Sequence, residues 1–298
     1  MASIAGFAGQ DRMWRSDLKE LAAAIRGHPQ FPAAAHRSVS ELVAWRSQLG
    51  VTNRVISNLG RESIIEFLLI LSFIQRVDDQ LEGANFERLA ALSETREHFG
   101  ARAVRTALRL LQIGGFVVAT RSRQDGRLRI YQPTPALLAQ ARDYYAIVLG
   151  VFDTLAPDAN IRLRMKDDPE YVMEILARVG DAFLAEDFAP RPELDAFAQL
   201  LRLDGANAIL AFVVDCHWRR RRLPTPGQLA PLFQVSGSQT RVILKAAADK
   251  ALIVLGPRGT LVDASALANE YLRHYSQYLA FFARYGLGLE ECLTDPSP

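Results

Sequence analysis

Apolar residues recur along most of the chain with the spacing of a helix. In DLKELAAAIR (17–26), SELVAWRSQL (40–49), PEYVMEILARVGDAFL (169–184) and ELDAFAQLLR (193–202) they fall three and four residues apart, the pattern of one buried helical face. Two segments, SIIEFLLILSFIQR (63–76) and ANAILAFVVDCHWRRRR (206–222), are apolar nearly all round and predict helices enclosed by others. The longest apolar stretch, Ser63 to Ile74, falls well short of the ~20 residues that cross a bilayer, so no membrane partner is expected.

Between these segments the phase is sharper. Through ARAVRTALRLLQIGG, Val104, Leu108 and Leu111 form an apolar stripe, Gly114 and Gly115 end the helix, and Arg102, Arg105 and Arg109 gather on a second, exposed stripe. Upstream, ERLAALSE predicts a short helix whose Leu89 and Leu92 pack against the apolar stripe, with TREHFG as the turn between the two. After the glycines the period changes to two: FVVATRSR and RLRIYQ read as strands of a hairpin around Gln124, Asp125 and Gly126. A two-residue loop would oppose Arg123 to Leu128 and mix the faces. A three-residue loop opposes Arg123 to Arg127 and Arg121 to Arg129, with Leu128 and Ile130 on the other side, and is the register expected. Like charges directly opposed on a ribbon are destabilising, unless a polyanion lies across them; a solvated surface hairpin is the bland alternative.

Composition changes the picture in one respect. The 298 residues are 49% apolar, ample for buried cores, and the net charge is only +2. The distribution is uneven. Residues 100–131 hold seven basic residues against Asp125, residues 217–258 hold eight against Asp249, and residues 150–204 carry twelve acids and six bases. Two cationic islands separated by an acidic body predict two surfaces facing one polyanion. Cys216 and Cys292 form neither a disulfide framework nor a metal motif, as expected of a reducing, cytoplasmic location.

The chain also repeats. Laid over itself, it places SGSQTRVILKAAADKALIVL on GARAVRTALRLLQIGGFVVA without a gap, so that Arg241 falls on Arg105, Lys245 on Arg109 and Leu244 on Leu108. QLAPLF likewise matches RLAALS, and SALANEYLRHYSQYLAFF matches PALLAQARDYYAIVLGVF. Helix, turn, helix and basic ribbon, with Asp125 and Arg127 at the ribbon tip and Thr134 as N-cap of the next helix ahead of Pro135, resembles the winged helix-turn-helix of the MarR family of bacterial transcription regulators. The resemblance implies a mainly α fold with small β-hairpin wings: tandem winged helix-turn-helix units around a helical core, related by a pseudo-twofold. The units expected are 1–150, with its winged motif at about 62–133, and 151–298, with its motif at about 205–263; residues 150–168 connect them.

What the resemblance implies for function is double-stranded DNA as partner, with the second helix of each pair in the major groove and the wing tip in the minor groove. Arg102, Arg105, Thr106 and Arg109 would serve the first helix, and Arg121, Arg123, Arg127 and Arg129 the first wing. Ser238, Gln239, Thr240, Arg241 and Lys245 would serve the second helix, with Arg258 in its wing. That second wing, LIVLGPRGTLVD, lacks the Asp-x-Arg tip, so minor-groove contact is not implied there. Arg219 and Arg220 open a run of four arginines that reads either as phosphate contacts or as a solvated loop. Tyr144, Tyr145, Phe152, Tyr271, Tyr275, Tyr278, Phe281 and Phe282 are expected to fill the joint between the halves rather than to cage a ligand. The family's small aromatic ligand is implied by resemblance alone.

No glycine-rich phosphate loop, HExxH helix or GxSxG elbow occurs, and the five histidines are scattered, so an enzyme, a metal or a cofactor is not expected. Asp78-Asp79 and Asp167-Asp168 read as solvated or helix-starting charges. Two alternatives keep the fold: an adaptor whose winged helices bind RNA polymerase or another regulator, and a tandem winged-helix replication initiator.

Overall fold

The computed structural model describes residues 7–49, 53, 59–77, 83–95, 100–122, 125–185 and 196–294. Arg123, the turn at 96–99 and Asp78-Asp79 lie outside the described residues. The chain is mainly helical, with two small antiparallel two-stranded sheets. No helix among the described residues is long and apolar enough to cross a membrane.

Two long helices come first, α1 (Phe7–Gly27) and α2 (Phe31–Gln48). Then follow α3 (Leu59–Val77), α4 (Phe86–Thr95), α5 (Ala101–Ile113), the hairpin β1 (Val117–Arg121) and β2 (Arg129–Pro133), and α6 (Pro135–Leu149). The stretch expected as a plain connection is itself helical, as α7 (Phe152–Leu155) and α8 (Ile161–Asp167). Leu155, Ile161 and Met165 are buried, and the Asp153 carboxylate accepts the orphan N–H groups of Ile161 and Arg162 at the start of α8. After α9 (Tyr171–Ala185) and α10 (Ala196–Leu201) the earlier order recurs: α11 (Ala206–Trp218), α12 (Pro226–Leu232), α13 (Gly237–Asp249), β3 (Val254–Leu255), β4 (Leu261–Asp263) and α14 (Ser265–Phe282). A π-helical turn, Ala283–Leu287, and α15 (Glu290–Thr294) close the chain's described part.

The local causes are legible in the residues. Helix α5 buries Val104, Ala107, Leu108 and Leu111 and ends where Gly115 turns left-handed, φ 72°. Gly115 N then donates to Gln112 O and Phe116 N to Leu111 O, the paired bonds that satisfy a helix's last carbonyls. Helix α13 ends the same way at the matching position of the repeat, although the left-handed residue there is Ala251, φ 56°. Thr134 caps α6 as expected: its hydroxyl accepts from Leu137 N and donates to Gly115 O at 2.8 Å, tying the helix to the hairpin's root.

One continuous hydrophobic core runs through the molecule. The two halves of the chain interleave: α2, from the first, lies against α11, and α9, from the second, lies against α3. Helix α1 runs along α14. The aromatic residues meet at this joint, with Tyr145 5.5 Å from Phe282, Tyr278 4.9 Å from Phe282 and Tyr271 6.1 Å from Tyr275, centroid to centroid. The Tyr275 hydroxyl on α14 donates to Val148 O on α6 at 2.6 Å, and Ser38 Oγ on α2 lies 2.7 Å from it. Burial, first of all, drives the phenols of Tyr144, Tyr145, Tyr271, Tyr275 and Tyr278 above their ordinary range.

Candidate nucleic-acid interface

Helix α5 presents Arg102, Arg105, Thr106 and Arg109 to solvent because its other face is consumed by the core. The Arg105 guanidinium carbon stands 4.9 Å from the Phe86 ring centroid at the start of α4, a cation–π contact that steadies the side chain without neutralising it. Thr106 Oγ1 donates to Arg102 O at 3.0 Å.

In the hairpin, Arg121 is directly paired with Arg129, the register of the three-residue loop, and both side chains are exposed. Ile130 is buried from the opposite face and Leu128 half-buried. Arg127 is exposed at the tip. Asp125 has a structural task there: its Oδ1 accepts from Arg127 N at 2.9 Å while its carbonyl accepts from Leu128 N, closing the turn. The strand gains a further anchor where Tyr131 N donates to Ala84 O at 2.7 Å.

In the body, Arg46, Arg61, Arg162, Arg178, Arg219, Arg273 and Arg284 pair with carboxylates, whereas Arg26, Arg37, Arg142 and Arg164 pair with none among the described residues. Among the described residues, Arg102, Arg105, Arg109, Arg121, Arg127 and Arg129 form no ion pair. Six guanidinium groups are thus held outward on one helix and one ribbon with no internal counter-charge.

The second half differs. On α13, Ser238, Arg241 and Lys245 are exposed, but Lys245 Nζ sits 2.8 Å from Asp249 Oδ2 on the next turn. Gln239 Nε2 donates to Asp204 O at 3.3 Å, which commits it to the body. Thr240 requires a correction: it is fully buried, its hydroxyl bonded to Ser236 O at 3.1 Å, and it reaches no partner. Its counterpart in the first half is the core residue Val104, so the repeat itself carried the signal that its hydroxyl obscured. Arg219 is exposed but engaged, its Nε 2.9 Å from Asp215 Oδ1. That carboxylate is buried, and it also accepts from Ser40 Oγ and lies 3.6 Å from His36 Nε2. Arg220, Arg221 and Arg222 remain exposed, as does Arg258 in the second hairpin's turn. Sequence reasoning passed over Val242, half exposed between Arg241 and Lys245.

No protein-family model matches the chain, and neither a curated protein nor a solved structure matches it.

The aromatic joint leaves little room for a small ligand. Two cavities there measure about 70 Å³, beside Trp45, Glu66 and Tyr144, and about 100 Å³, beside Tyr271, His274 and Tyr275. Small-molecule sites begin near ~300 Å³. The joint is therefore filled by its own side chains in this conformation. A larger, open space of about 420 Å³ lies between Arg61, Asp204, Val235 and Gln239, with mixed polar and apolar walls.

Proposed function

We propose that the chain is a sequence-specific DNA-binding regulator of transcription, a single polypeptide carrying two MarR-like winged helix-turn-helix units as a covalent pseudo-dimer. The observation that carries this reading is the arginine arrangement on α5 and the first hairpin. Directly opposed guanidinium groups without a carboxylate destabilise an isolated ribbon, and a sugar-phosphate backbone reverses the sign. The recurrence of one element order in both halves, with the same helix-ending geometry, supports two units.

In this mechanism α5 enters a major groove, where arginine donates to guanine O6 and N7 or to phosphates, and the hairpin tip with Arg127 reaches the adjacent minor groove. The second unit binds through Ser238, Arg241 and Lys245 of α13, assisted by the exposed arginines that follow α11. Its hairpin carries a single cation, Arg258, beside exposed Val254 and Val262. The two halves therefore bind unequally, the first supplying most of the salt-sensitive affinity.

The test is retention on heparin and on duplex DNA at graded salt. Changing Arg105 and Arg127 to Glu is expected to abolish heparin retention and to weaken duplex binding about tenfold to a hundredfold, the loss of charge-assisted contacts. It is also expected to flatten the salt dependence by roughly one logarithmic unit per contact. Arg178→Glu, on the acidic body, serves as the control and is expected to leave retention unchanged. Equal binding by the double variant and the native chain refutes the reading.

A further inference from the structure

The exposed stripes of α5 and α13 correspond position by position. Arg102, Arg105, Thr106 and Arg109 on α5 match Ser238, Arg241, Val242 and Lys245 on α13, in both cases spaced i, i+3, i+4 and i+7 on one face. At the third position both stripes carry a methyl group between two cations. Val242 is 50% exposed, and a β-branched residue on an open helical face weakens the helix relative to alanine while gaining nothing from the core. Thr106 is exposed too, and its hydroxyl hydrogen is already given to Arg102 O, so what it offers a partner is its γ-methyl and the oxygen's acceptor lone pairs, not a donor.

Within the major groove the apolar feature that distinguishes one base from the others is the 5-methyl of thymine. We propose that Val242 and Thr106 are the specificity-determining residues for a thymine in each half-site, each seated against that base's methyl group while the flanking cations hold guanine edges or phosphates. The assignment rests on the DNA-binding reading and adds to it a shared element in two otherwise different half-sites. Arg102 against Ser238 makes the first half-site the one that tolerates fewer substitutions beside that thymine, since a guanidinium makes a two-bond contact that a hydroxyl does not.

The experiment uses the full chain and duplexes selected from a random pool. The tightest duplex is resynthesised with deoxyuridine replacing each thymidine in turn, which removes only the methyl, and binding is followed by fluorescence anisotropy. One thymidine in each half-site is expected to matter, its replacement weakening binding about fourfold, the effect of burying one methyl group. Val242→Ala is expected to become indifferent to the replacement in one half-site and to keep its sensitivity in the other. Thr106→Ser is expected to show the reverse. Both positions are exposed, so the variants' far-ultraviolet circular dichroism should match the native chain's. If the native chain binds the selected duplex but no single deoxyuridine changes its affinity, or if Val242→Ala keeps the full discrimination in both half-sites, the assignment is overturned while DNA binding stands. If the native chain retards no duplex, both fall together.

Discussion

Gly115 and Ala251 occupy the same left-handed position at the ends of α5 and α13, with φ 72° and 56°. Glycine adopts that region freely, whereas an alanine Cβ crowds the following carbonyl. Replacing Ala251 by glycine is therefore expected to stabilise the chain by about 0.5–1 kcal/mol, after the larger entropy that glycine loses on folding; urea unfolding checks it, and a lower midpoint would contradict it. The same scale explains which site residues were legible. Exposure of Arg102, Arg105 and Arg109 follows from helical phase alone. Thr240 shares the phase of Ile243, Leu244 and Ala247, all buried, and only its hydroxyl made it look like a surface residue. The pairing of Arg219 with Asp215 follows from their i, i+4 spacing, whereas the hold that Ser40 and His36 have on the same carboxylate was not legible, because they lie on another helix.

Among the elements, α2, α3 and α11 are joined by charge. Arg46, almost completely buried, places its Nη2 2.6 Å from Glu62 Oε1, and Asn207 Nδ2 lies 3.2 Å from both Glu62 oxygens. Partners 16 and 145 residues apart in the chain give no periodic signal. Removing one member of a buried pair strands the other without solvation, so Glu62→Leu is expected to cost about 3–5 kcal/mol. The double change Glu62→Leu with Arg46→Met, which removes both charges, is expected to recover most of that loss. Guanidinium or urea denaturation of the native chain and the two variants measures the difference, and equal stabilities of the single and double variants would refute the coupling. The hairpin, by contrast, was legible to its register, since a side-chain period of two permits one pairing that keeps Ile130 and Leu128 off the arginine face.

For the whole molecule, the joint has a consequence at alkaline pH. The folded state holds the phenol protons of Tyr144, Tyr145, Tyr271, Tyr275 and Tyr278 more tightly than the ordinary value. Below that value, about pH 10, both states are protonated and the joint contributes its full stability. As pH rises past it, the unfolded chain releases protons that the folded chain keeps, so unfolding becomes progressively more favourable. Stability is expected to fall steeply above about pH 10, with the phenolate absorbance of these five tyrosines appearing in one cooperative step together with loss of helical ellipticity. A gradual phenolate titration in a chain that stays folded would contradict the packing.

Local order was written in the sequence: helix phases, the hairpin register, the helix ends and caps, and the recurrence of one pattern in both halves. These follow from periods of 3.6 and 2 and from the backbone freedom of single residues, which need no knowledge of distant neighbours. The exchange that sets α2 on α11 and α9 on α3, the ion pair inside the joint and the near-absence of space there were decided only in three dimensions. Of the arginine pairs, Arg178 with Glu174, Arg219 with Asp215 and Arg273 with Glu270 follow from helical spacing. Arg61 with Asp204, Arg162 with Glu41 and Arg284 with Asp17 were decided only in three dimensions, because nothing but the tertiary fold brings those carboxylates beside their guanidinium groups.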